Sequence, residues 1–411
     1  MISTIKKVST TIRKLRVKNF LEICEFAHNL NVQKNSIKAG YGKQTLPIKL
    51  PGSQIKKLFR LGENMFLQTE DGAFCKIING EISFIKLVES EIKNVCEILS
   101  ASGPDTLVLC DNPFTLKGEN VETLPVSSQV ALHKGRLYLA EKNTVYVGEQ
   151  FDFNLNLNPL ERFYTLGVNS KAGKIVGFFS KEENIYVICE KAIYVIKPSS
   201  DIENFKFERL AITGLNVKTG SLVCFGGECY FITNKKLAIF NGNAVKRIDT
   251  LLDGISATFY DCARDDENYF LPLKTNNGSG FIYRYNVIDG SQEFILSQGL
   301  CVCNDGYIVD GNALIKLSKD FATQSEKNFI TSEICFDDCD QKTLCGIDVN
   351  ALGDCTLAVH GVFGVQKYYL KKGRHALCVN LKSDAFKLEF FTNSSDFGID
   401  FLTLFYRLKG E

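Results

Sequence analysis

The sequence predicts an all-β protein: a β-propeller of about seven blades, six also being compatible, followed by a small C-terminal β-sandwich. Three observations predict it. Short apolar and aromatic runs alternate with Gly, Asn, Asp and Lys turns along nearly the whole chain, the pattern of strands rather than helices. Seven such runs recur at a mean interval of about 40 residues, the length of one four-stranded blade. Beyond residue 325 the runs tighten to a spacing of roughly 8–12 residues, as strands of a sandwich do.

The chain divides on this reading into an N-terminal arm (1–52), the propeller (53–322) and the sandwich (323–411). The arm carries the best helix candidate, Val17 to Leu30, with Phe20, Leu21, Cys24 and Ala27 roughly on one face. The repeated runs are Asn64–Gln68, Thr106–Cys110, Arg136–Ala140, Asn184–Cys189, Glu228–Thr233, Asn268–Leu273 and Gly306–Asp310. Each opens a hairpin. Tyr138 is answered by Tyr146 and Tyr186 by Tyr194 at the same spacing, across the short connections Glu141-Lys142-Asn143 and Glu190-Lys191. In the sixth unit the connection lengthens to Lys274–Gly280. One unit cannot bury its apolar faces by itself, and radial stacking buries both. An N-terminal strand is a candidate to complete the last blade. The sandwich strands are Leu344–Val349, Cys355–His360, Val365–Leu370, Ala376–Leu381, Lys387–Phe391 and Phe401–Arg407.

Composition narrows the function classes. The 411 residues are 45% hydrophobic and 23% charged, with a net charge of +1. This is a globular balance, too apolar for a disordered chain and too neutral for a tight duplex-DNA binder. No run reaches the roughly 18 apolar residues of a membrane-spanning helix. The 15 cysteines are odd in number, and most sit inside apolar strand runs, as Cys75, Cys189 and Cys378 do. They read as buried thiols of a chain folded in a reducing cytoplasm, and the N-terminus shows no secretory leader.

A search for chemistry finds no catalytic constellation and no cofactor fingerprint. The four histidines, His28, His133, His360 and His375, stand in no ligand motif. Without Trp, neither the Trp-ended Asp-box of propeller sialidases nor the WD dipeptide is present. Cys335, Cys339, Cys345 and Cys355 offer one tight knuckle of the two that zinc needs. Cys301 and Cys303 share a strand face. Asp261, Asp265, Asp266 and Glu267, and again Asp337, Asp338 and Asp340, are carboxylate clusters without a calcium-loop pattern, and read as solvated turns. The basic run Lys6, Lys7, Arg13, Lys14, Arg16 and Lys18 reads as an exposed strand or assembly arm, with nucleic acid as the other reading. No metal or cofactor is expected, and no enzyme.

The hairpin Gly135-Arg136-Leu137-Tyr138-Leu139-Ala140 with Asn143-Thr144-Val145-Tyr146-Val147-Gly148-Glu149 resembles tailed-bacteriophage propeller proteins of the head–tail connector, packaged-DNA-stabilisation and tail-nozzle type. Gln150-Phe151-Asp152-Phe153-Asn154 stands where that group carries a proline-containing segment, here without the proline. Gly227 to Ile232 with Leu237 to Gly242, and Asp266 to Leu273, resemble further units of the same group, as do the entry segment Asn29 to Gly42 and the ending Lys387 to Gly410. The resemblance implies a non-enzymatic virion protein, folded in the host bacterial cytoplasm. It implies a homo-oligomeric ring, a hexamer by preference, at the neck or tail nozzle. Its partners would be portal, adaptor or other tail proteins, with viral DNA passing through unheld. From exposure and position, the expected assembly residues are Lys14, Arg16 and Phe20 in the arm and Asn276 and Asn277 in the long connection. Two other functions stay open: a propeller that binds a protein or a cell-surface glycan, and a glycoside hydrolase with carboxylates among Asp261, Asp265, Asp266 and Glu267.

Overall fold

The computed structural model describes residues 12–18, 20, 24–33, 35–100, 103–116, 127–148, 164–201, 204–253, 255–318, 326–336 and 341–408. Among them the chain is all-β with almost no helix, and no helix is long and apolar enough to cross a membrane. It forms two compact units. One comprises residues 45–280 and 297–316; the other comprises residues 1–44, 281–296 and 317–411.

The first unit is a succession of antiparallel meanders. The first sheet runs Ile55–Leu61, Asn64–Thr69, Ala73–Ile78, Glu81–Leu87. The second has three strands, Asn94–Ser100, Gly103–Leu109 and Phe114–Thr115. The third is Gln129–His133, Arg136–Glu141, Thr144–Val147 and Tyr164–Gly167; the fourth is Ile175–Lys181, Asn184–Cys189, Ile193–Lys197 and Lys206–Arg209. Val223–Phe225, Glu228–Thr233, Lys236–Phe240 and Val245–Arg247 make the fifth. In the sixth, Ala257–Phe259 and Ala263–Arg264 both pair with Asn268–Thr275. The seventh takes Cys301–Cys303, Tyr307–Asp310 and Ala313–Ser318, and its outer strand is Gly42–Lys49 from far upstream.

Six of the seven repeated runs are therefore the second strand of their sheet, and the sixth, in Asn268–Thr275, follows two short strands that both pair with it. That position explains why the runs are apolar without alternation. Glu228–Thr233 is buried at five consecutive residues after its exposed Glu228, and Asn64–Thr69 shows the same pattern. Neighbouring sheets cover both faces of such a strand. Phe66, Phe74, Val108 and Cys110 join the first sheet to the second, and Leu107, Leu109, Leu137 and Leu139 join the second to the third. Tyr138, Val145, Ile185 and Val187 lie between the third and fourth, and Val195, Phe231 and Phe240 between the fourth and fifth. Leu58, Leu67, Val309 and Leu314 pack the seventh sheet on the first. Asn234 and Lys235, both at positive φ (50° and 64°), make the tight left-handed turn between the middle strands of the fifth sheet.

Arg136 of the resemblance hairpin is buried. Its guanidinium donates to the Gly148 and Ser200 carbonyls (3.2 and 2.8 Å) and lies over the Phe205 ring. The connection expected over Lys274–Gly280 is shorter than the sequence suggests. The strands continue to Thr275 and from Gly280, and the Thr275 amide donates to the Ser279 carbonyl to close the turn.

The second unit is built from three stretches of chain. Its strands run in the spatial order Gly364–Leu370, Cys355–Gly361, Lys387–Thr392, Lys327–Thr331, Cys24–His28, Gln292–Leu296, Leu30–Val32, Ile37–Ala39, Gly398–Leu408, Lys342–Ala351, Gly373–Ser383. All six strand runs expected after residue 325 lie in these strands. Arg13–Arg16 pairs with Gly398–Leu408, and Phe281–Tyr285 pairs with Gln292–Leu296. The two outermost strands meet through side chains: the Tyr368 hydroxyl donates to the Cys378 carbonyl (3.0 Å) and the Gln366 amide to the Asn380 carbonyl (3.3 Å). These bonds occupy an edge that would otherwise be free to pair.

The helix expected over Val17 to Leu30 is corrected here. Cys24–His28 is a strand, antiparallel to Lys327–Thr331, and Leu30–Val32 is another. Ladder partners hundreds of residues away outweigh a weak local helical period. Residues 19 and 21–23 of that stretch lie outside the described residues.

Candidate functional site

Six of the seven sheets in the first unit present their first strands, and the fifth the residues Lys218, Thr219, Gly220 and Leu222 just before its first strand, to a common cavity of about 760 Å³. Its wall takes Lys56 to Arg60 from the first sheet, Val176 to Phe178 from the fourth, Asp261 to Ala263 from the sixth and Leu300 to Asn304 from the seventh. The lining carries five cations, Lys56, Lys57, Arg60, Lys93 and Lys218, against two carboxylates, Glu91 and Asp261.

Lys57 is the hub. Its ammonium bonds Asp261 closely and reaches Glu91 at 3.1 Å; Lys56 approaches the other Glu91 oxygen at 3.6 Å. Burial lowers the affinity of Lys57 for its proton, but Asp261 and Glu91 more than reverse this, and its pKa is raised. Burial likewise works against the charge of Glu91, yet Lys57 and Lys56 prevail and lower its pKa. The backbone holds this arrangement in place. Gly220 sits at φ +78° against the Asp261 carboxylate, where any Cβ would collide with it, and its carbonyl accepts from the Cys262 amide at 2.7 Å. Flanking acids engage two more cations: Asp305 binds Arg60 at 2.8 Å and Asp111 binds Lys93 at 3.4 Å. Lys218 has no carboxylate partner among the described residues.

Cys262, Cys301 and Cys303 also line the cavity. Burial pushes Cys301 up to about 12 and raises Cys262 and Cys303 as well. These thiols stay protonated at neutral pH and are neither nucleophiles nor ready metal ligands. Among the described residues, no three His, Cys, Asp or Glu side chains are grouped to hold a metal ion.

The expected site residues are scattered. Asp261 lies in the cavity, while the Asp265 carboxylate accepts from the Glu267 and Asn268 amides (2.8 and 2.7 Å) and caps a turn. The carboxylates expected as a hydrolytic cluster are thus divided between two tasks. Glu91, the acid nearest Asp261 through Lys57, has a lowered pKa, whereas a glycosidase acid needs a raised one. Cys335 is exposed, Cys345 half-buried and Cys355 buried; Cys339, Asp337, Asp338 and Asp340 lie outside the described residues, as do Lys6, Lys7 and residues 150–154.

Of the expected assembly residues, Lys14 and Arg16 are exposed on the strand Arg13–Arg16, with the Arg16 guanidinium 5.1 Å from the Phe401 ring centre. Phe20 is 1% exposed and packs edge-on against Phe329. The exposure on which its role rested is absent, because the ring completes its own unit's core. Asn276 donates to Ser256, and Asn277 accepts from the Thr275 hydroxyl and the Ser279 amide; both serve the turn.

The charged lining of the cavity was missed by motif reasoning. Lys56, Lys57 and Lys93 belong to no motif; what marks the first two is their place on the strand preceding a repeated run.

No known family profile matches the chain, and no curated protein sequence does. Solved structures resemble it only distantly. BamB from Moraxella catarrhalis is 9% identical, with 75% of this chain and 96% of that one covered and a TM-score of 0.42. The WD40 domain of Neurospora crassa Pan2 is also 9% identical, with 68% and 94% covered and a TM-score of 0.40. The computationally designed protein Ika8 is 10% identical, with 67% and 100% covered and a TM-score of 0.42. The functional reading therefore stands on the chain's own geometry.

Proposed function

We propose that the chain is a non-catalytic binding module, a seven-bladed propeller whose axial cavity receives an acidic group of a partner. The seven sheets of the first unit are its blades, and Gly42–Lys49 closes the last one. The strands after residue 325 form the small sandwich.

The observation that carries the reading is the lining of the cavity. All seven sheets contribute residues to one space with a surplus of cations, and Lys218 has no carboxylate partner among the described residues. A recessed wall whose one cation without a carboxylate partner among the described residues is Lys218 attracts ions of the opposite sign to that point. A carboxylate-bearing peptide or glycan fits such a wall, and the protonated thiols supply no chemistry to transform it. The test is a screen of the purified chain against a glycan array and a panel of acidic and basic synthetic peptides. Binding to acidic members that is lost in Lys218→Glu supports the reading. Binding indifferent to Lys218→Glu and to Lys57→Gln refutes it.

A second reading is the ring-forming virion component implied by the resemblance. One observation favours it. The hairpin between Cys355–Gly361 and Gly364–Leu370 ends in Val362 and Phe363, which are 66% and 78% exposed, with exposed Val365 next to the turn and exposed Tyr369 farther along the same strand. Apolar groups displayed at a strand edge suit a subunit contact. Negative-stain images of rings that disperse on Phe363→Ser, and the chain's detection in virions by mass spectrometry, would support it. A monomer under all conditions would exclude it.

A further inference from the structure

The fifth sheet holds a pair of thiols that the proposed function does not use. Val223–Phe225 and Glu228–Thr233 are joined by the two-residue turn Gly226-Gly227, with Gly226 at φ +52°. In a two-residue hairpin the turn-flanking pair, here Phe225 and Glu228, exchanges the backbone bonds. The next pair, Cys224 and Cys229, is then a non-hydrogen-bonded pair, whose Cα atoms stand about 4.5 Å apart with both side chains on one face. This lies within the span that a disulfide bridges.

The two thiols differ in a useful way. Cys224 is half-buried, with its Sγ 3.7 Å from the Phe178 carbonyl, while Cys229 is fully buried behind it. Arg264 is close by, its guanidinium over the ring of Phe225, the neighbour of Cys224. The Cys229 thiol donates to Cys224 and lowers its pKa, which burial opposes and Arg264 assists. Burial, followed by that same bond, raises Cys229. A half-buried thiol of lowered pKa, paired across the strands with a second thiol, is the arrangement of an oxidisable pair.

We infer that Cys224 and Cys229 form a redox modification site, in which Cys224 reacts with a small-molecule disulfide and Cys229 resolves the adduct. The Cys224 thiolate attacks one sulfur of oxidised glutathione. A Cys224–glutathione disulfide forms, the glutathione S–S bond breaks, and one glutathione thiolate leaves. Cys229 then gives its proton to solvent and attacks the Cys224 sulfur, expelling the second glutathione thiolate. The leaving thiolates take up the two protons the protein thiols gave up. Two electrons pass from the cysteine pair to glutathione, which is reduced to two thiols, and the hairpin is bridged beside its turn.

The experiment exposes the folded full chain to oxidised glutathione, blocks remaining thiols with N-ethylmaleimide and maps tryptic peptides without reduction. Cleavage after Lys218 and Lys235 releases both cysteines in one peptide. The expected product is that peptide lacking two hydrogens and carrying no blocking group. Cys229→Ser should instead retain glutathione on Cys224. Cys224→Ser should slow the loss of the Cys229 thiol at least about tenfold, since the attacking thiolate is gone. Exposed Cys335 and Cys378 report that the oxidant was active. If these two carry glutathione while the Cys224–Cys229 peptide keeps two blocking groups, the inference fails. It fails equally if Cys224 is recovered bridged to Cys262.

Discussion

Removing the charge of Glu293 should destabilise the second unit more than removing that of its partner Arg284. Both side chains are 0% exposed, on cross-strand neighbours of one hairpin, with Nε and Oε2 3.0 Å apart. The Arg284 guanidinium also lies 4.4 Å from the centre of the Tyr41 ring, and the other Glu293 oxygen accepts from the Tyr41 amide at 2.7 Å. Breaking a buried pair by removing one partner costs about 3–5 kcal/mol, because the remaining charge is stranded away from water. A second buried cation decides which end of that range applies. Lys327, 2% exposed, has its pKa lowered by burial and raised in part by the field of Glu293. Arg284→Met leaves Glu293 facing Lys327, so its cost falls near 3 kcal/mol on that scale. Glu293→Gln keeps an acceptor for the Tyr41 amide but takes the charge of Glu293 from both Arg284 and Lys327, and should cost about 5 kcal/mol. The assay is urea unfolding read by hydrogen exchange in the hairpin from Phe281 to Leu296. With a slope of about 2 kcal/mol per molar urea, the midpoint should fall by roughly 1.5 M for Arg284→Met and 2.5 M for Glu293→Gln. The double variant should cost less than the two single changes added together, since each removes the other's stranded charge. A Glu293→Gln cost below about 1 kcal/mol, the reverse order of the two variants, or simple additivity would refute the reasoning.

Two further outcomes follow from the first unit. Burial, with the charge of Lys134 second, lowers the pKa of His133 from 6.5. The unfolded chain therefore takes up the proton first as pH falls; the stabilisation is complete above 6.5 and lost between there and the lower folded value. Thermal melts from about pH 7.5 to 5.5 should show this loss, flattened in His133→Gln; an unchanged slope would assign the effect elsewhere. Gly299→Ala should cost about 1–3 kcal/mol in urea unfolding, because a Cβ there would run into the Val309 carbonyl, an atom of backbone that cannot turn aside.

Much of the fold was legible in the sequence because it depends on short-range order. Strand runs such as Glu228–Thr233 and turns such as Asn234-Lys235 are written in consecutive residues, where side-chain alternation and backbone preference act. The arm misled for the same reason: Cys24–His28 has a faint helical period locally, but its ladder partner is Lys327–Thr331. The site was less legible. Asp261 stood out as one of a run of acids, yet the turn claims Asp265 and the cavity claims Asp261. Phe20 looked like an exposed aromatic in a basic arm until its partner Phe329 was located.

The sequence by itself determined that this is an all-β chain of repeated meanders, whose apolar second strands need cover on both faces. Tertiary structure alone decided which charges meet. Lys57 comes from the first sheet, Glu91 from the connection between the first and second, and Asp261 from between two strands of the sixth, while Arg284 and Glu293 meet Tyr41 from about 250 residues along the chain. Burial and Coulomb energy depend on distance in space, and composition and local spacing carry no record of it.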